Sequence, residues 1–399
     1  MSYPLQADVF KGYYTVVCKF CPECGCRKKM KLKDYREVDI LLTPAGFRCR
    51  VLRLRKPRYR CRACGKLTVM HPRFVSNGAS ISNMVKVSLL LEYKIKQSMK
   101  DVAKRYFISP ATAWKIFDDY ERKRRSRTLP SVILMDEFSA TKDCESKMAF
   151  VFSDGLTGEI LDILDDRRSH SLVKYFLDFD RTERLKVKHV VMDMNAGYPN
   201  VVKQVFPKAE ILIDGFHVIQ QLSRSFNKLR VQEMNQLKKS LPEEAKQQRK
   251  LKKYWRTLLK WRGFIDPFYR KQFPCFQWKY VTEQEVLDQL LRTSETLRLA
   301  YKAYQDCLTA FKRKNAELFF QIIQSLPEQL PTDFKKSFRY LNSQKEAIMK
   351  SFKLGYSNGK LEGKNNLIKV IKRIAFGFKR FDHLKKRILL QQDSLSYTL

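Results

Sequence analysis

The sequence is poor in acidic residues. Of its 399 residues, 41 are Asp or Glu and 79 are Lys or Arg, which leaves a formal net charge of +38 at pH 7. So much positive charge disfavours a compact chain through self-repulsion unless a polyanion neutralises it. Nucleic acid is the commonest such partner, because Lys and Arg that contact phosphates release bound counterions. The charge balance therefore favours a nucleic-acid-binding protein over one that is merely basic.

Long apolar runs are also missing. No segment approaches the ~20 consecutive apolar residues of a membrane span, and the start of the chain, Met1 to Gly12, lacks the basic-then-apolar layout of a signal peptide. We therefore expect no membrane partner and retention in the cytosol. A hydrophobic content of 44% and an aromatic content of 12% exclude a disordered chain. The length allows several domains.

Histidine is scarce, whereas seven of the ten cysteines are clustered in one short stretch. Because cytosolic thiols stay reduced, such a cluster favours metal binding over disulfides. The clustered residues are Cys18, Cys21, Cys24, Cys26, Cys49, Cys61 and Cys64.

Two C-x-x-C-G knuckles stand out within this cluster, at Cys21–Gly25 and Cys61–Gly65. In such a knuckle the turn points backbone amides at sulfur, and the glycine permits the left-handed residue that closes the turn. Two knuckles supply four thiolates, which predicts one closed, structural Zn²⁺ site. Cys18 also lies three residues before Cys21, so the ligand register stays open. The preferred ligands, which share the trailing glycine, are Cys21, Cys24, Cys61 and Cys64.

The segment between the knuckles is basic and alternating. The alternation over Arg48–Arg60 predicts a β-hairpin, as in a zinc ribbon. We expect Arg53, Arg55 and Arg58 on this hairpin to contact DNA phosphates.

Three helices are predicted after the zinc module, and their spacing is typical of a helix-turn-helix. They cover Met84–Lys96, Ser98–Tyr106 and a segment from Ser109 toward Arg122. Their predicted core consists of Val102, Ala103, Ile108, Ala113 and Ile116. Thr112, Trp114 and Lys115 would then face a major groove. The alternative is a three-helix packing unit with no DNA role.

A charged run from Glu121 to Arg127 predicts a linker or a DNA-facing helix end. Beyond it, short apolar runs and turn signals predict a mixed α/β order. The predicted strands are Ser131–Phe138, Lys147–Ser153, Glu159–Leu164, Val187–Met192 and Ala209–Ile213, with one helix over Ser169–Asp178 and another between the fourth and fifth strands. The pattern becomes helical from about Val218 to Lys350, and again from Leu361 to Ile374.

Two predicted strands run directly into acids, Asp136 and Asp193. Carboxylates at the ends of neighbouring strands repel one another until divalent cations bind between them. Mg²⁺ prefers a few carboxylates together with water and substrate phosphate oxygens. Two ions at such a site can activate an attacking oxygen and stabilise a leaving oxygen.

Glu362 is the best third carboxylate. On a helix that begins near Asn358, it shares a face with Asn365 and Asn366 and, two turns on, with Lys369. Asn365, Lys369 and Arg373 would then follow DNA away from the metal site. All three acids could instead be helix caps or solvated residues.

Three rivals remain among the residues near these acids. Asp214 ends the fifth strand and could be a fourth acid. His217 is more often a structural or DNA-contacting residue than a metal ligand. Glu137 adjoins Asp136 but points to the opposite face of its strand.

In combination, these motifs resemble the ISL3 family of bacterial insertion-sequence transposases over nearly the whole chain. Beside the knuckles and the helix-turn-helix, the motifs are Leu134–Phe138, Val190–Tyr198, Asp214–His217 and Asn358–Asn365. The resemblance implies an RNase H-like mixed sheet with helices, whose DDE triad falls on Asp136, Asp193 and Glu362. It also implies binding of two Mg²⁺ or Mn²⁺ ions.

The same resemblance implies a multidomain α/β protein. The implied domains are a zinc ribbon at 1–75, an all-α helix-turn-helix at 76–128, a catalytic domain at 130–217 and 351–390, and a helical insertion at 218–350. The implied function is to bind the terminal inverted repeats of an insertion sequence, cut the DNA strands and transfer them to target DNA. A homo-oligomer on double-stranded DNA is expected. The alternatives are a non-catalytic DNA-binding regulator and an RNase H-like nuclease.

Overall fold

The computed structural model describes residues 7–27, 30–95, 97–120, 128–194, 197–276 and 280–392, so the predicted charged run at 121–127 lies outside it. The chain forms two compact units. The first contains 1–126, 139–147 and 364–399, and the second contains 127–138 and 148–363. Within the described segments, no helix is both long and apolar enough to cross a membrane.

The first unit begins with a four-stranded sheet. Its strands are β1 (Asp8–Tyr13), β2 (Met30–Ala45), β3 (Arg48–Cys61) and β4 (Leu67–Val69). The antiparallel pair β2 and β3 forms the body of the sheet, while β1 pairs in parallel and β4 antiparallel with β3.

The β-hairpin predicted between the two knuckles is confirmed, but Arg48–Arg60 supplies only one of its strands, since those residues lie in the continuous strand β3, which pairs with β2. The turn lies at Gly46 and Phe47, which both have positive φ angles, as a two-residue hairpin turn requires. Alternation alone gives the period of a strand and not its partner, so the long strand β2 went unpredicted.

Three helices follow the sheet, as predicted: α1 (Asn83–Lys94), α2 (Met99–Arg105) and α3 (Pro110–Asp119). Ser82, Ser98 and Ser109 cap them, since each serine side chain accepts a hydrogen bond from the backbone amide three residues on. The predicted core is confirmed: four of its residues are buried, and Ile108 packs against them. Leu41, Cys49 and Val51 of the sheet belong to the same core.

The second unit contains a five-stranded sheet. Its strands are β5 (Val132–Ser139, of which Ser139 belongs to the first unit), β6 (Met148–Asp154), β7 (Ile160–Leu164), β8 (His189–Met192) and β9 (Glu210–Ile213). All five were predicted to within two residues at each end. The strand order is β7-β6-β5-β8-β9, in which β5, β8 and β9 run parallel and β6 and β7 antiparallel.

Helices cover one face of this sheet. They are α4 (Ser169–Leu177), α5 (Arg181–Lys186) and α6 (Tyr198–Val205). Phe150, Phe176 and Val202 are fully buried in the core between these helices and the strands. The helices predicted over Ser169–Asp178 and between the fourth and fifth strands correspond to α4 and α6. Helix α5 was not predicted, because it is short and lacks a full helical repeat in the sequence.

The predicted helical insertion follows β9 and has its own core. Its helices are α7 (Gly215–Gln236), α8 (Pro242–Lys253), α9 (Trp255–Leu259), α10 (Glu283–Leu291), α11 (Glu295–Lys312), α12 (Ala316–Gln324), α13 (Thr332–Ser343) and α14 (Lys345–Leu354). A small hairpin joins β10 (Lys271–Gln272) to β11 (Tyr280–Val281). Phe226 and Tyr304 stack in the centre, with their ring centroids 4.9 Å apart.

Two helices close the described chain, α15 (Gly359–Ile374) and α16 (Phe381–Leu390). The first was predicted and the second was not. Within the first unit, α16 packs on the three-helix group: the buried Arg387 guanidinium lies 3.5 Å from the centroid of the Tyr93 ring and donates to the Ile95 carbonyl at 2.8 Å.

Candidate metal centres and nucleic-acid interface

The four predicted zinc ligands converge. The Sγ atoms of Cys21, Cys24, Cys61 and Cys64 all lie within 4.8 Å of one another. The pairs Cys21–Cys64 and Cys24–Cys61 each have an Sγ–Sγ distance of 3.7 Å. Tetrahedral Zn²⁺ with Zn–S bonds of about 2.3 Å separates its sulfurs by roughly 3.8 Å. The site therefore fits zinc, and Cys18 is not part of it.

The two knuckles have the same backbone geometry. Gly25 and Gly65 have φ angles of 66° and 75°, and their amides donate to the carbonyls of Cys21 and Cys61 at 2.9 Å in each case. The backbone amide of Cys64 donates to the Cys61 sulfur and lowers the pKa of that thiol to about 7. The thiolate is the form that binds metal, so the knuckle prepares its ligand.

The three predicted DNA-binding arginines of the ribbon form ion pairs across the β2–β3 ladder. Their partners are Asp39 for Arg53 at 2.9 Å, Glu37 for Arg55 at 3.4 Å, and Asp34 for Arg58. The Arg58 guanidinium holds the pKa of Asp34 below its usual value, and Arg53 does the same for Asp39. Phosphate contacts at these positions would have to share or displace the carboxylates, and they stay a prediction.

The predicted recognition residues of α3 differ in their surroundings. Lys115 is exposed, and the half-buried Thr112 hydroxyl lies 2.9 Å from the Ser109 hydroxyl. The Trp114 ring stacks on His383 of α16, with centroids 4.7 Å apart. Much of Trp114 is thus occupied by packing, so Lys115 is the most accessible of the three.

Three acids stand at one level along the parallel strands of the second sheet. Leu134 of β5 pairs with Val191 of β8, which pairs with Leu212 of β9. Each has an aspartate two residues later, and these are Asp136, Asp193 and Asp214. Because neighbouring strands lie about 4.8 Å apart and side chains alternate, this register directs the three carboxylates to one face and one edge.

The electrostatic surroundings of Asp136 agree with this placement. Burial is the main cause that raises the pKa of Asp136, and the neighbouring charge of Asp193 raises it further. His217, in the first turn of α7, has the opposite effect on the Asp136 pKa. A carboxylate that is partly desolvated beside another carboxylate is the type that a divalent cation stabilises.

Glu362, the predicted third metal ligand, lies in the first turn of α15, and the turn before this helix is anchored by Asn358. The backbone amide of Asn358 donates to Asp214 Oδ1 at 3.1 Å, and its side-chain Nδ2 donates to the carbonyl of Met135 at 3.0 Å. Asn358 accepts in turn from the Glu362 amide at 2.7 Å. Asn358 therefore ties the first turn of α15, with Glu362, to the residue before Asp136 and to the end of β9.

The Asn358 side chain and the spacing of the acids bear on how well this edge of the sheet fits a divalent cation. Asn358 is 2% exposed, and its Oδ1 has no hydrogen-bond partner among the residues that the structure describes. Such a buried acceptor beside Met135 and Asp214 fits a water on a hydrated Mg²⁺ ion. Among the described residues, however, only the four cysteines bring three or more ligand atoms within 4.8 Å of one another. The acids thus match a divalent-cation site in residue type and placement, but their ligand atoms lie farther apart than those of the four cysteines.

Two further contacts support this edge of the sheet. Glu137 is buried on the opposite face, as expected, where Arg167 and the Tyr198 hydroxyl bind its carboxylate. Tyr340 of the insertion donates to the carbonyl of Met194, next to Asp193, at 2.7 Å. The helical insertion is therefore joined to the end of β8 beside Asp193.

Glu362 is exposed and lines a cavity of about 390 Å³ in the second unit. Lys312 and Lys314 at the end of α11 line the same cavity. The Lys312 ammonium lies over the rings of Trp261 and Phe264, 4.3 and 4.6 Å from their centroids. Lys314 is therefore the cation of this cavity that suits a phosphate-bearing ligand, whose charge the Glu362 carboxylate alone would repel.

The remaining predicted DNA contacts lie along α15. Lys369 and Arg373 are exposed, whereas Asn365 is 7% exposed. Asn365 is therefore placed for packing, and its DNA contact stays a prediction.

No role was predicted for Asn358, Tyr340 or Arg167. Asn358 carried a signal, since an Asn-Gly pair opens the motif that contains Glu362. Tyr340 and Arg167 carried none, because each acts on a residue far away in the chain.

Comparison with known proteins gives matches over both units. Residues 133–388 match the ISL3 DDE family, which is described as a transposase family. Residues 19–64 match the zinc-finger of transposases IS204/IS1001/IS1096/IS1165.

Two individual relatives also match. A transposase for insertion sequence element IS1001 from Bordetella parapertussis is 26% identical over 375 residues, which is 92% of this chain and 86% of that protein. A protein named ATP-dependent protease from Lactococcus lactis subsp. lactis is 38% identical over 115 residues. The chain spans about a third of that protein, since the match covers 28% of this chain and 36% of the relative.

The zinc site predicts a difference between two cysteine variants. Cys61→Ser removes a ligand, so we expect the bound zinc to fall from about one ion per chain to none and the ribbon to unfold. Cys18→Ser keeps the hydrogen bond to the Phe20 carbonyl and should retain the zinc. Metal content by atomic emission and circular dichroism before and after chelation measure both effects. A wild-type protein that contains no zinc and whose circular dichroism spectrum does not change with chelator would contradict the assignment.

Proposed function

Because the chain belongs to the ISL3 family of transposases, we propose that it binds the terminal inverted repeats of an insertion sequence, cuts the DNA there and joins the cut ends to target DNA. The observation that carries this proposal is the register that brings Asp136 and Asp193 to adjacent strand ends. It is supported by the anchored turn that carries Glu362. The two N-terminal modules supply DNA binding that a simple nuclease would not need.

We assign the three acids the role of holding two Mg²⁺ or Mn²⁺ ions. Such ions, when bound, stabilise the charge on the attacking and leaving oxygens of a phosphodiester. The chain itself positions the carboxylates, and Lys314 offers positive charge in the cavity that Glu362 lines. No side chain has to form a covalent bond to DNA in this chemistry. The mixed sheet with three parallel strands supports an RNase H-like catalytic fold.

The proposed DNA interface includes the exposed lysines and arginines of α3 and α15, among them Lys115, Lys369 and Arg373. We assign the zinc ribbon and the three-helix group to recognition of the inverted repeats. Since a transposase must hold two DNA ends together, we propose a dimer or larger assembly on DNA.

Replacing a proposed metal ligand should abolish cleavage. We expect Asp136→Asn, Asp193→Asn and Glu362→Gln each to reduce Mg²⁺-dependent cleavage of a terminal-repeat duplex by at least about 100-fold, because each loses a charge that holds the ions. DNA affinity should stay close to that of the wild type. The measurement is gel analysis of a labelled duplex, with added plasmid to detect strand transfer.

Glu317→Gln is the matched control, since Glu317 is an exposed glutamate in the first turn of α12. If Glu362→Gln cleaves normally while Asp214→Asn does not, Asp214 and not Glu362 is the third ligand. Wild-type protein that binds the duplex tightly yet cleaves nothing with Mg²⁺ or Mn²⁺ would favour a DNA-binding regulator.

Asn358 is proposed as a positioning residue. Asn358→Ala removes the bond to the Met135 carbonyl, so Glu362 loses part of its anchor. We expect cleavage to fall by roughly 10- to 100-fold and the Mg²⁺ concentration for half-maximal cleavage to rise, as for other residues that orient metal ligands. Asn200→Ala, at an exposed site in α6, is the control. A reduced rate with an unchanged Mg²⁺ dependence would argue against positioning.

A further inference from the structure

The loop between α15 and α16 contains an aromatic residue in an unfavourable conformation. Helix α15 ends in a Schellman motif: the Gly377 amide donates to the Lys372 carbonyl at 2.9 Å, and the Phe376 amide donates to the Arg373 carbonyl at 3.1 Å. Phe376 occupies the position in this motif that needs a left-handed backbone, with φ 54°. Glycine is usual there, as at Gly355, which ends α14 with φ 71°.

Packing does not explain the phenylalanine. Phe107 also has a positive φ, of 56°, but its side chain packs against the core of the three-helix group. The Phe376 side chain is instead 94% exposed. Phe47, in the β2–β3 turn, also combines a positive φ angle with an exposed ring, which is 90% exposed. Phe376 differs from Phe47 in lining a cavity.

A cavity of about 750 Å³ opens beside this ring, entirely within the first unit. Its walls combine aromatic side chains, Phe376, Phe378 and Trp114, with the cations Lys100, Lys379 and Arg380. Arg380 has an acidic partner, Asp382, at 3.3 Å. Lys100 and Lys379 have none in the part of the chain that the structure describes. The volume lies within the range of ligand pockets, about 300–1,000 Å³.

We propose that this cavity holds a DNA base that has left its stack, with Phe376 as the stacking platform and with Lys100 and Lys379 on the flanking phosphates. Aromatic rings beside cations are how proteins bind unpaired strands, because every base has a π face and every nucleotide a phosphate. A fully paired duplex offers no free base, so the site selects unpaired or distorted DNA. The proposal rests on the proposed function only in taking DNA as the ligand.

Phe376→Gly is an informative variant, because glycine suits the left-handed position and should not lower the melting temperature. The probe is a fluorescein-labelled, mixed-sequence 30-nucleotide single strand, compared with its duplex, with full-length zinc-loaded protein and no Mg²⁺. We expect Phe376→Gly to lose roughly 5- to 150-fold in single-strand affinity by anisotropy, the effect of one stacked base. Duplex affinity should change much less.

Salt dependence separates stacking from charge. Phe376→Gly should leave the slope of log affinity against log salt unchanged, whereas Lys379→Gln should flatten it by about 0.7 for a single strand. Phe268→Ala, which removes a ring 87% exposed in the insertion, is the matched control and should bind like the wild type. Wild-type single-strand affinity in Phe376→Gly would overturn the proposal. An equal loss of duplex affinity in Phe376→Gly would also overturn it. So would a Phe376→Gly protein that keeps its DNA affinity but no longer self-associates, as measured by light scattering.

These outcomes are independent of the catalytic assignment. Binding is measured without divalent ions, so failure at Phe376 leaves the cleavage test of Asp136, Asp193 and Glu362 untouched. Failure of that cleavage test would equally leave single-strand binding at Phe376 measurable.

Discussion

Carboxylates at the ends of adjacent parallel strands repel one another, and much of the second unit serves to hold several of them in place. The register of β5, β8 and β9 brings Asp136, Asp193 and Asp214 to one level. Their surroundings then separate their roles. Asp214 is buried and accepts a hydrogen bond from the Asn358 amide, whereas burial and the charge of Asp193 raise the pKa of Asp136. Asp214 is thus bonded to the turn before α15, and Asp136, beside Asp193, is the carboxylate whose charged form burial disfavours. We propose Asp136 and Asp193 as the cation ligands.

The same constraint explains why the helical insertion and α15 meet this edge of the sheet. Tyr340 fixes the segment after Asp193, and Asn358 fixes the turn before Glu362. Residues close to one another in the site are therefore more than a hundred positions apart in the chain. The helical insertion is thus bonded beside Asp193 through Tyr340, and the turn that follows its last helix is bonded to β5 and to the end of β9 through Asn358.

Net positive charge alone does not locate the DNA interface. Arg53, Arg55 and Arg58 look like phosphate ligands in the sequence, yet each has an acid opposite it on β2. Lys115 and Lys379 are exposed, and they are stronger candidates for that reason. A chain with a charge of +38 still pairs many of its cations internally, and the unpaired ones carry most of the attraction for phosphate.

Local signals in the sequence were sufficient for part of this structure. The knuckle glycines, the helix starts at Ser98 and Ser109 and the five strands of the second sheet were predicted because each depends on neighbours within a few residues. The pairing of β2 with β3, the packing of α16 on the three-helix group and the bonds of Asn358 were not predictable, since they join distant segments. Asp136 and Asp193 were predicted as acids at strand ends and Glu362 as an acid on a helix, and the family resemblance grouped the three as a triad. That their ligand atoms lie farther apart than those of the zinc site could be seen only in the structure.

The most direct measurement is Mn²⁺ binding followed by electron paramagnetic resonance, on zinc-loaded protein with a terminal-repeat duplex. If Asp136, Asp193 and Glu362 hold the catalytic ions, the wild type should bind about two Mn²⁺ per active site. Asp193→Asn should lose most of that binding and keep its zinc. Equal Mn²⁺ binding by the wild type and by Asp193→Asn would show that these acids are not the metal site.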